Sequence, residues 1–255
     1  MTSSEGAVND HIAQMMIDGK VRNRFGIKRF TKTGVVTAAS RDPKDESEVE
    51  TELDAVIFAT SSAFDFSLMH PDADPTNYPA PDWDRIKSKN RNLDFPRLYQ
   101  TLFSLRFPHS LAFIGPCEGA TFAAYCNADL SSQAIAQVWK GKYALPPQAE
   151  MDRWCEAMYR QTLKRANAGR LGRIGTDSIA LDRWLNAAAG NGMDEMLGWG
   201  WKGWRFWWKE RKLYKLIMDG VQTPFVYRLF DGREGGRAKW DEAREAIFRA
   251  NGLAP

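Results

Sequence analysis

The sequence is poor in the residues that build disulfide bonds and metal sites. Its 255 residues include three cysteines, Cys117, Cys126 and Cys155, none of them in a Cys-x-x-Cys pair. An odd number of cysteines, on a chain that starts with no apolar signal segment, predicts a reducing, cytoplasmic setting. The three histidines have no metal-ligand spacing either, so we expect no metal site.

Long apolar runs and a strong charge imbalance are also missing. No apolar run approaches the roughly 20 residues that a membrane-spanning helix needs. The formal net charge is only +3. Because nucleic-acid binders concentrate basic charge on one face, this balance predicts no nucleic-acid partner. The 44% of hydrophobic and 26% of charged residues are ordinary for a globular protein, and the length allows one large domain or two smaller ones.

A glycine fingerprint in the context that dinucleotide binding requires is absent as well. Gly198, Gly200 and Gly203 satisfy the spacing G-x-G-x-x-G. That motif holds a pyrophosphate only where a buried strand leads directly into the first glycine, whereas residues 193–197 mix acidic and apolar side chains. We interpret the match as coincidental.

The most informative stretch that is present is an apolar run at 55–59, followed by Thr60, Ser61 and Ser62. Such a run is typical of a strand buried on both faces of a parallel sheet. In those sheets ligands bind beyond the carboxyl ends of the strands. The run therefore predicts a core strand whose far end, at Thr60 and Ser61, faces a ligand.

Short β-prone pieces precede this run. They lie at 21–25, 27–31 and 35–37 and predict a small β-meander, and the polar segment 39–47 predicts an exposed hairpin loop. Residues 1–10 predict a disordered tail.

A second strand-like pattern leads into a helix. Residues 94–103 predict a short turn or helix, residues 110–115 repeat the buried-strand pattern, and a helix capped by Asn127 or Asp129 ends at Gly141. A helix N-terminus beside a glycine turn suits a flavin because it attracts negative charge. The same pattern is typical of any β-loop-α unit, and both interpretations stay open.

Helices dominate after residue 146. An amphipathic pattern places five side chains on one stripe, which predicts core packing and an inert thiol at Cys155. These residues are Met151, Trp154, Cys155, Met158 and Tyr159.

A segment rich in tryptophan then meets a basic one. The aromatic residues are Trp199, Trp201, Trp204, Phe206, Trp207 and Trp208, and the basic ones are Lys209, Arg211, Lys212 and Lys215. The segment suits a buried aromatic cluster, an interfacial membrane helix or a stacking platform for single-stranded nucleic acid. Core packing is favoured because Leu213, Leu216 and Ile217 continue the apolar face, and a peripheral membrane contact comes second.

Several segments resemble the flavin-containing (dimethylaniline) monooxygenase family. Residues 58–62, F-A-T-S-S, resemble its F-A-T-G-Y, with serines in place of the glycine and the aromatic residue. Residues 111–146, with L-A-F-I-G and A-x-A-Q-V-W-K-G, resemble the segment that closes its flavin domain. Residues 219–229 resemble G-P-x-T-P-Y-Q-Y-R-L, and residues 236–247 resemble its W-x-G-A-R-x-A-I helix.

This resemblance implies the C-terminal part of an α/β flavoprotein with two dinucleotide-binding domains. Residues 11–145 would form incomplete Rossmann-like sheets with a small β-meander and bind part of FAD and NADP, and residues 146–255 would form a mainly helical region. Both glycine fingerprints of the family lie upstream of anything in this sequence.

The implied activity is an NADPH- and O2-dependent oxygenation of an amine or sulfide, by a truncated or split enzyme whose upstream half is a further partner. The implied cofactor-binding residues are Ala59, Thr60, Ser61 and Ser62 at the cofactor junction, and Glu118 and Gly119 near the flavin ring. Glu118 stands where the family often has glutamine. No catalytic side chain is assigned, because the chemistry belongs to the flavin. The alternative is an inactive remnant that binds a protein or a membrane surface through the segment from Trp199 to Trp208.

Overall fold

The computed structural model describes residues 11–40, 42, 46–57, 65–89, 93–115, 124–169, 174, 178–233 and 236–254. These fall into two compact units, a small one within Ser4–Ala63 and a large one within Phe64–Pro255. The predicted division near residue 145 stays a prediction.

The small unit contains the predicted β-meander. Its elements are α1 (Ile12–Ile17), β1 (Phe25–Phe30), β2 (Gly34–Ala38) and β3 (Glu48–Glu52). The strands form an antiparallel sheet in the order β1-β2-β3, and Val36 of the central strand is buried. The polar segment 39–47 joins β2 to β3 as predicted, and the Ala39 N–H donates to the Ser47 carbonyl at 3.1 Å. Strand β3 was not predicted, and residues 21–24 lie outside any strand.

The prediction of a buried core strand at 55–59 is wrong for residues 55–57. They belong to no strand, and Ile57 is 90% exposed. Residues 58 and 59 lie outside the described part of the chain. A strand buried in a parallel sheet needs partners on both sides, and every strand pair within the described ranges is antiparallel.

The large unit is mainly helical, as predicted for the C-terminal region. Its strands are β4 (Leu98–Tyr99) and β5 (Phe103–Ser104). Its α-helices are α2 (Pro81–Asp84), α3 (Ala124–Trp139), α4 (Gln148–Asn167), α5 (Ser178–Ala189), α6 (Met193–Leu197), α7 (Trp201–Lys209), α8 (Arg211–Asp219) and α9 (Ala243–Ala250). Two 3₁₀ helices span Lys87–Lys89 and Pro224–Arg228. Among the described helices, none is long and apolar enough to cross a membrane.

A hairpin replaces the turn or helix predicted at 94–103. Strands β4 and β5 are joined through Gln100 and Thr101, whose φ angles of 49° and 62° reverse the chain. The strand pattern at 110–115 gives only a bridge between Ala112 and Phe103, so the buried strand predicted there is also wrong. The two strands pair with each other, and most of their side chains are buried against helices α3 to α5.

Helix α3 has the predicted buried face but begins earlier than predicted. Leu130, Ala134 and Val138 are buried, and the chain turns at Gly141, whose φ is 69°. The predicted caps, Asn127 and Asp129, lie inside the helix, so neither is an N-cap.

Helix α4 confirms the predicted amphipathic stripe and separates two hydrophobic clusters. Met151 and Cys155 contribute to the cluster with α3 and α5, whereas Met158 and Tyr159 pack with Trp83 and its neighbours. The Cys155 thiol is fully buried, and this burial raises its pKa to about 12, as expected for a thiol that packs in the core. A third cluster joins α8, α9 and the 3₁₀ helix Pro224–Arg228.

Tyr159 also satisfies the start of helix α2. The backbone N–H of Trp83 donates to the Tyr159 hydroxyl oxygen at 3.1 Å, in a buried position. Tyr159→Phe is expected to lower the free energy of unfolding by about 1.5 kcal/mol, because that N–H loses its acceptor. Urea unfolding followed by circular dichroism measures the loss. Tyr125→Phe, at an exposed tyrosine, is the control and should change the free energy of unfolding little. Equal losses for the two variants would contradict a stabilising role for the hydrogen bond between Trp83 and Tyr159.

Candidate functional site

The six residues predicted to contact the cofactor lie outside the described part of the chain. They are Ala59, Thr60, Ser61, Ser62, Glu118 and Gly119. The structure therefore gives no geometry for them, and their role stays a prediction.

Helix α3 begins at Ala124, a few positions after Glu118 and Gly119 in the sequence. The side-chain oxygen of Asn127 is buried in the first turn of the helix and accepts no hydrogen bond from any residue that the structure describes. The neighbouring Cys126 is buried, and this burial raises the pKa of its thiol. A four-turn helix also presents the positive end of its dipole here.

These observations fit only part of a flavin nucleotide. A buried acceptor at a helix N-terminus suits the N–H and O–H donors of a flavin ring and its ribityl chain. A pyrophosphate needs a strand that runs through a glycine turn into a helix, and no such unit occurs in the described ranges. The described residues therefore fit the ring side of the cofactor and supply no phosphate site.

A buried thiol, Cys126, and two partly buried titratable groups, Tyr227 and Asp182, lie where α3 and α5 approach the 3₁₀ helix Pro224–Arg228. Burial raises the pKa of Tyr227 to about 12, and nearby Cys126 and Asp182 add to the shift. Burial also raises the pKa of Asp182. At neutral pH the Tyr227 hydroxyl and the Cys126 thiol are therefore protonated, so they can donate hydrogen bonds and do not act as bases.

No role was predicted for Tyr227, Asp182 or Thr223 from the sequence. The Thr223 hydroxyl is buried and has no hydrogen-bond partner among the described residues. Both Thr223 and Tyr227 belong to the T-P-F-V-Y-R-L stretch that resembles the monooxygenase family. This resemblance was the sequence feature that could have identified them as candidate functional residues. Asp182 gave no signal, because its position depends on how α5 packs.

An ion-pair network holds the C-terminal segment against α3. Arg237 donates to both carboxylate oxygens of Asp129, at 3.1 and 3.3 Å, and Gln133 donates to one of them at 2.9 Å. Arg237 also lies 3.4 Å from the buried Asp231, which accepts a 2.9 Å hydrogen bond from Arg228. Asp129 therefore holds the C-terminal segment that contains Arg237 against α3, through its ion pair with Arg237.

The tryptophans of α7 and its approach form an exposed surface, which shows that core packing was the wrong prediction for them. This aromatic surface consists of Trp199, Trp201, Trp204, Trp207 and Trp208. Trp199 is 90% exposed, Trp201 80%, Trp204 50% and Trp208 68%. The prediction was right for α8, whose Leu213 is buried in the third cluster.

Close backbone contacts explain two of the three glycines of the G-x-G-x-x-G stretch, Gly198 and Gly203, and the match is coincidental. Helix α6 precedes it in place of a strand. A Cβ atom on Gly203 would overlap the carbonyl oxygen of Gly198, and one on Gly198 would overlap the carbonyl oxygen of Asp194. Gly203 therefore lets α7 pack closely on Gly198, the residue that ends α6.

Gly203→Ala is expected to lower the free energy of unfolding by about 2 kcal/mol, because the new methyl group pushes α7 away from Gly198. Urea unfolding measures the change. Gly200→Ala is the matched control: no atom lies within 4 Å of its added Cβ, so a change below about 0.5 kcal/mol is expected. Equal losses for the two variants would contradict the close packing.

No group of three or more His, Cys, Asp or Glu side chains that could hold a metal ion occurs in the described part of the chain.

Comparison with known proteins identifies the class. Residues 1–252 match the family model described as FMO-like, flavin-binding monooxygenase-like. The chain belongs to this family, which confirms the resemblance stated above. Membership implies FAD, and flavin-containing monooxygenases also use NADPH.

Individual relatives agree with this membership. Monooxygenase aurF of Gibberella zeae is 32% identical over 257 residues, which are 98% of this chain and 45% of that protein. Human flavin-containing monooxygenase 5 is 27% identical over 96% of this chain and 39% of its own length. Human dimethylaniline monooxygenase 4, described as N-oxide-forming, is 26% identical over 94% and 37%. The chain thus spans less than half the length of each of these relatives.

Proposed function

We propose that this chain is the C-terminal part of an FAD-dependent monooxygenase that uses NADPH and O2 to oxygenate an amine or a sulfide, in a truncated or split form. The family match over residues 1–252 carries this proposal. An upstream half would supply the two glycine fingerprints that the sequence lacks in the required context. The proposed location is the cytoplasm, and peripheral contact with an intracellular membrane is the alternative.

In this proposal the chain positions the cofactor and shields it from water. FAD supplies the oxygen-transfer chemistry when it is bound. Thr60, Ser61 and Ser62 stand at the cofactor junction, and Glu118 and Gly119 stand near the ring. At the start of α3, the side-chain oxygen of Asn127 offers the cofactor a hydrogen-bond acceptor. Beside it, the hydroxyl group of Tyr227 offers a hydrogen-bond donor.

Thermal unfolding with and without FAD is the first test. FAD at about 100 times its dissociation constant should stabilise the chain by about 2.7 kcal/mol and raise the melting temperature. Asn127→Ala should weaken FAD binding about fivefold, the effect of one lost hydrogen bond, whereas Asn23→Ala, at an exposed position, should not. AMP, which lacks the flavin ring, is the ligand control.

The second test adds the upstream half from the same source. The reconstituted enzyme should show flavin absorbance and oxidise NADPH faster when an amine or sulfide is added. If the two halves together show neither property, the monooxygenase proposal is wrong.

A second candidate function is association without catalysis through the aromatic surface, with a protein or a membrane as partner. The exposure of four tryptophans favours it, because apolar patches of this kind mark interaction sites. Stable folding of the chain without FAD, together with a partner that binds wild type but not Trp201→Ala, would support it.

A further inference from the structure

The exposed face of α7 is its apolar face. Trp201, Trp204 and Trp208 follow one another at helical spacing and are all exposed, whereas Gly203 is buried on the opposite side. Surface helices of globular proteins usually bury such a stripe. The rings and two cations surround an open groove of about 550 Å³ whose wall is mostly apolar. Its lining consists of Trp201, Trp204, Arg205, Trp207, Trp208 and Lys209.

Most of the charges around this stripe are positive, and Glu195 of α6 neutralises one of them by pairing with Lys202 of α7 at 2.6 Å. Glu210 is the only acidic residue between positions 198 and 218 of the sequence, and Arg244 pairs with it at 3.3 Å. Arg205 and Lys209 lie in the groove and form no ion pair with any described residue. The guanidinium of Arg211 lies 4.8 Å above the Trp207 ring and 4.7 Å from that of Trp208. The aromatic surface therefore carries unneutralised positive charge at its centre and along one edge.

The ring geometry disfavours a nucleic-acid partner. Neighbouring tryptophans meet edge to face or tilted, with interplanar angles of 61° for Trp199 and Trp204, 81° for Trp204 and Trp207, and 55° for Trp207 and Trp208. Stacked bases need ring faces that lie open to solvent in series. Here neighbouring rings cover part of these faces, and Arg211 covers those of Trp207 and Trp208.

We propose that the aromatic surface docks the chain onto an anionic phospholipid bilayer. The inference rests on the second candidate function and names its partner. Helix α7 would lie in the plane of the bilayer surface, with the rings of Trp201, Trp204 and Trp208 at the boundary between headgroups and acyl chains. Arg205 and Lys209 would contact lipid phosphates. Amphipathic tryptophan rings and basic side chains together suit this boundary, and basic charge selects anionic lipid.

Flotation of the 255-residue chain with vesicles tests the proposal. Vesicles of phosphatidylcholine mixed with phosphatidylserine should capture the chain, and pure phosphatidylcholine vesicles should capture it far less. The triple variant Trp201→Ala, Trp204→Ala, Trp208→Ala should bind at least about tenfold more weakly, because each ring removes apolar area from the bilayer contact. Arg205→Gln with Lys209→Gln should weaken binding about 25-fold, or about fivefold for each cation lost near an anionic surface.

Matched variants elsewhere on the large unit provide the controls. Trp139→Ala removes an exposed tryptophan from α3, and Lys140→Gln with Lys142→Gln removes two exposed cations next to it. Both should bind vesicles like wild type. If circular dichroism shows that the triple alanine variant does not fold, the test relies on the charge variant, Arg205→Gln with Lys209→Gln. This variant keeps every tryptophan ring.

Several outcomes would overturn the proposal. Equal binding of wild type and charge variant to the mixed vesicles is one, and equal capture by the two kinds of vesicle is another. A dimer that the triple variant converts to a monomer would show that a second copy covers the surface. Displacement from vesicles by single-stranded DNA but not by an equal charge of polyglutamate would favour a nucleic acid. None of these measurements requires FAD, so their failure leaves the monooxygenase proposal untouched.

Discussion

Trp83→Ala is expected to lower the free energy of unfolding by about 4 kcal/mol. The Trp83 side chain is fully buried, and its ring packs edge to face on Phe95 at a centroid distance of 5.3 Å. Its indole N–H donates to the Leu93 carbonyl at 2.8 Å, and alanine leaves that oxygen without a donor. The substitution therefore combines a large cavity with the loss of a partly buried hydrogen bond. Urea unfolding followed by far-ultraviolet circular dichroism measures the loss.

Trp201→Ala provides the comparison, because it removes the same side chain from an exposed position. Its free energy of unfolding should stay within about 0.5 kcal/mol of wild type. A large loss at Trp201 and a small one at Trp83 would contradict the placement of both residues.

The second large effect is a loss of stability at alkaline pH. Burial raises the pKa of the Cys155 thiol from its usual 9.0 to about 12 in the folded state. Above pH 9.0 the unfolded chain releases this proton while the folded chain retains it, so rising pH favours unfolding. The free energy of unfolding should fall by about 1.4 kcal/mol per pH unit once the unfolded thiol is ionised. Below that range the group adds no pH dependence.

Tyr227 should steepen the decline at higher pH. Burial raises its pKa from 10.0 to about 12, so its contribution begins one unit above that of Cys155. Urea unfolding at neutral pH and at about pH 10 and pH 11 separates the two groups. Cys155→Ala should reduce the part of the decline that begins near pH 9.0, to which Cys126 also contributes, and Tyr227→Phe should reduce the part that begins near pH 10.0, to which Tyr78 and Tyr99 also contribute. If either variant follows the pH dependence of wild type, the burial of that residue does not control it.

The sequence predicts elements well where burial follows directly from spacing. The stripe of α4 and the buried face of α3 depend on a helical period, and both are confirmed. The meander was predicted because short β-prone pieces alternate with glycine. Strand β3 was missed, because Glu48–Glu52 is acidic and became a strand through pairing with β2.

The wrong predictions for residues 55–57 and for α7 share one physical cause. An apolar sequence pattern identifies which side chains are hydrophobic but does not identify the element that they pack against. Residues 55–57 have the composition of a core strand but no described strand beside them. The stripe of α7 has the composition of a core helix, yet the contact of Gly203 with Gly198 fixes the other face inward. Such contacts depend on the path of the backbone and leave no periodic signal.

The candidate cofactor-binding residues were predicted from the resemblance to the monooxygenase family. The family match supports this resemblance, but the positions of these side chains lie outside the described part of the chain. The groups around Tyr227 could not be predicted from spacing, because α3, α5 and the 3₁₀ helix are far apart in sequence. Only the family-like stretch from Thr223 to Tyr227 pointed to this region.

The pairing of Asp129 with Arg237 has a consequence for folding during synthesis. The two residues are 108 positions apart. A nascent chain can complete helix α3 long before the ribosome has added the arginine, and until then the carboxylate of Asp129 lacks its cation. The packing of the C-terminal segment on α3 is therefore a late event on the ribosome, and a growing chain that stalls before Arg237 keeps this face of α3 open to other proteins of the cell.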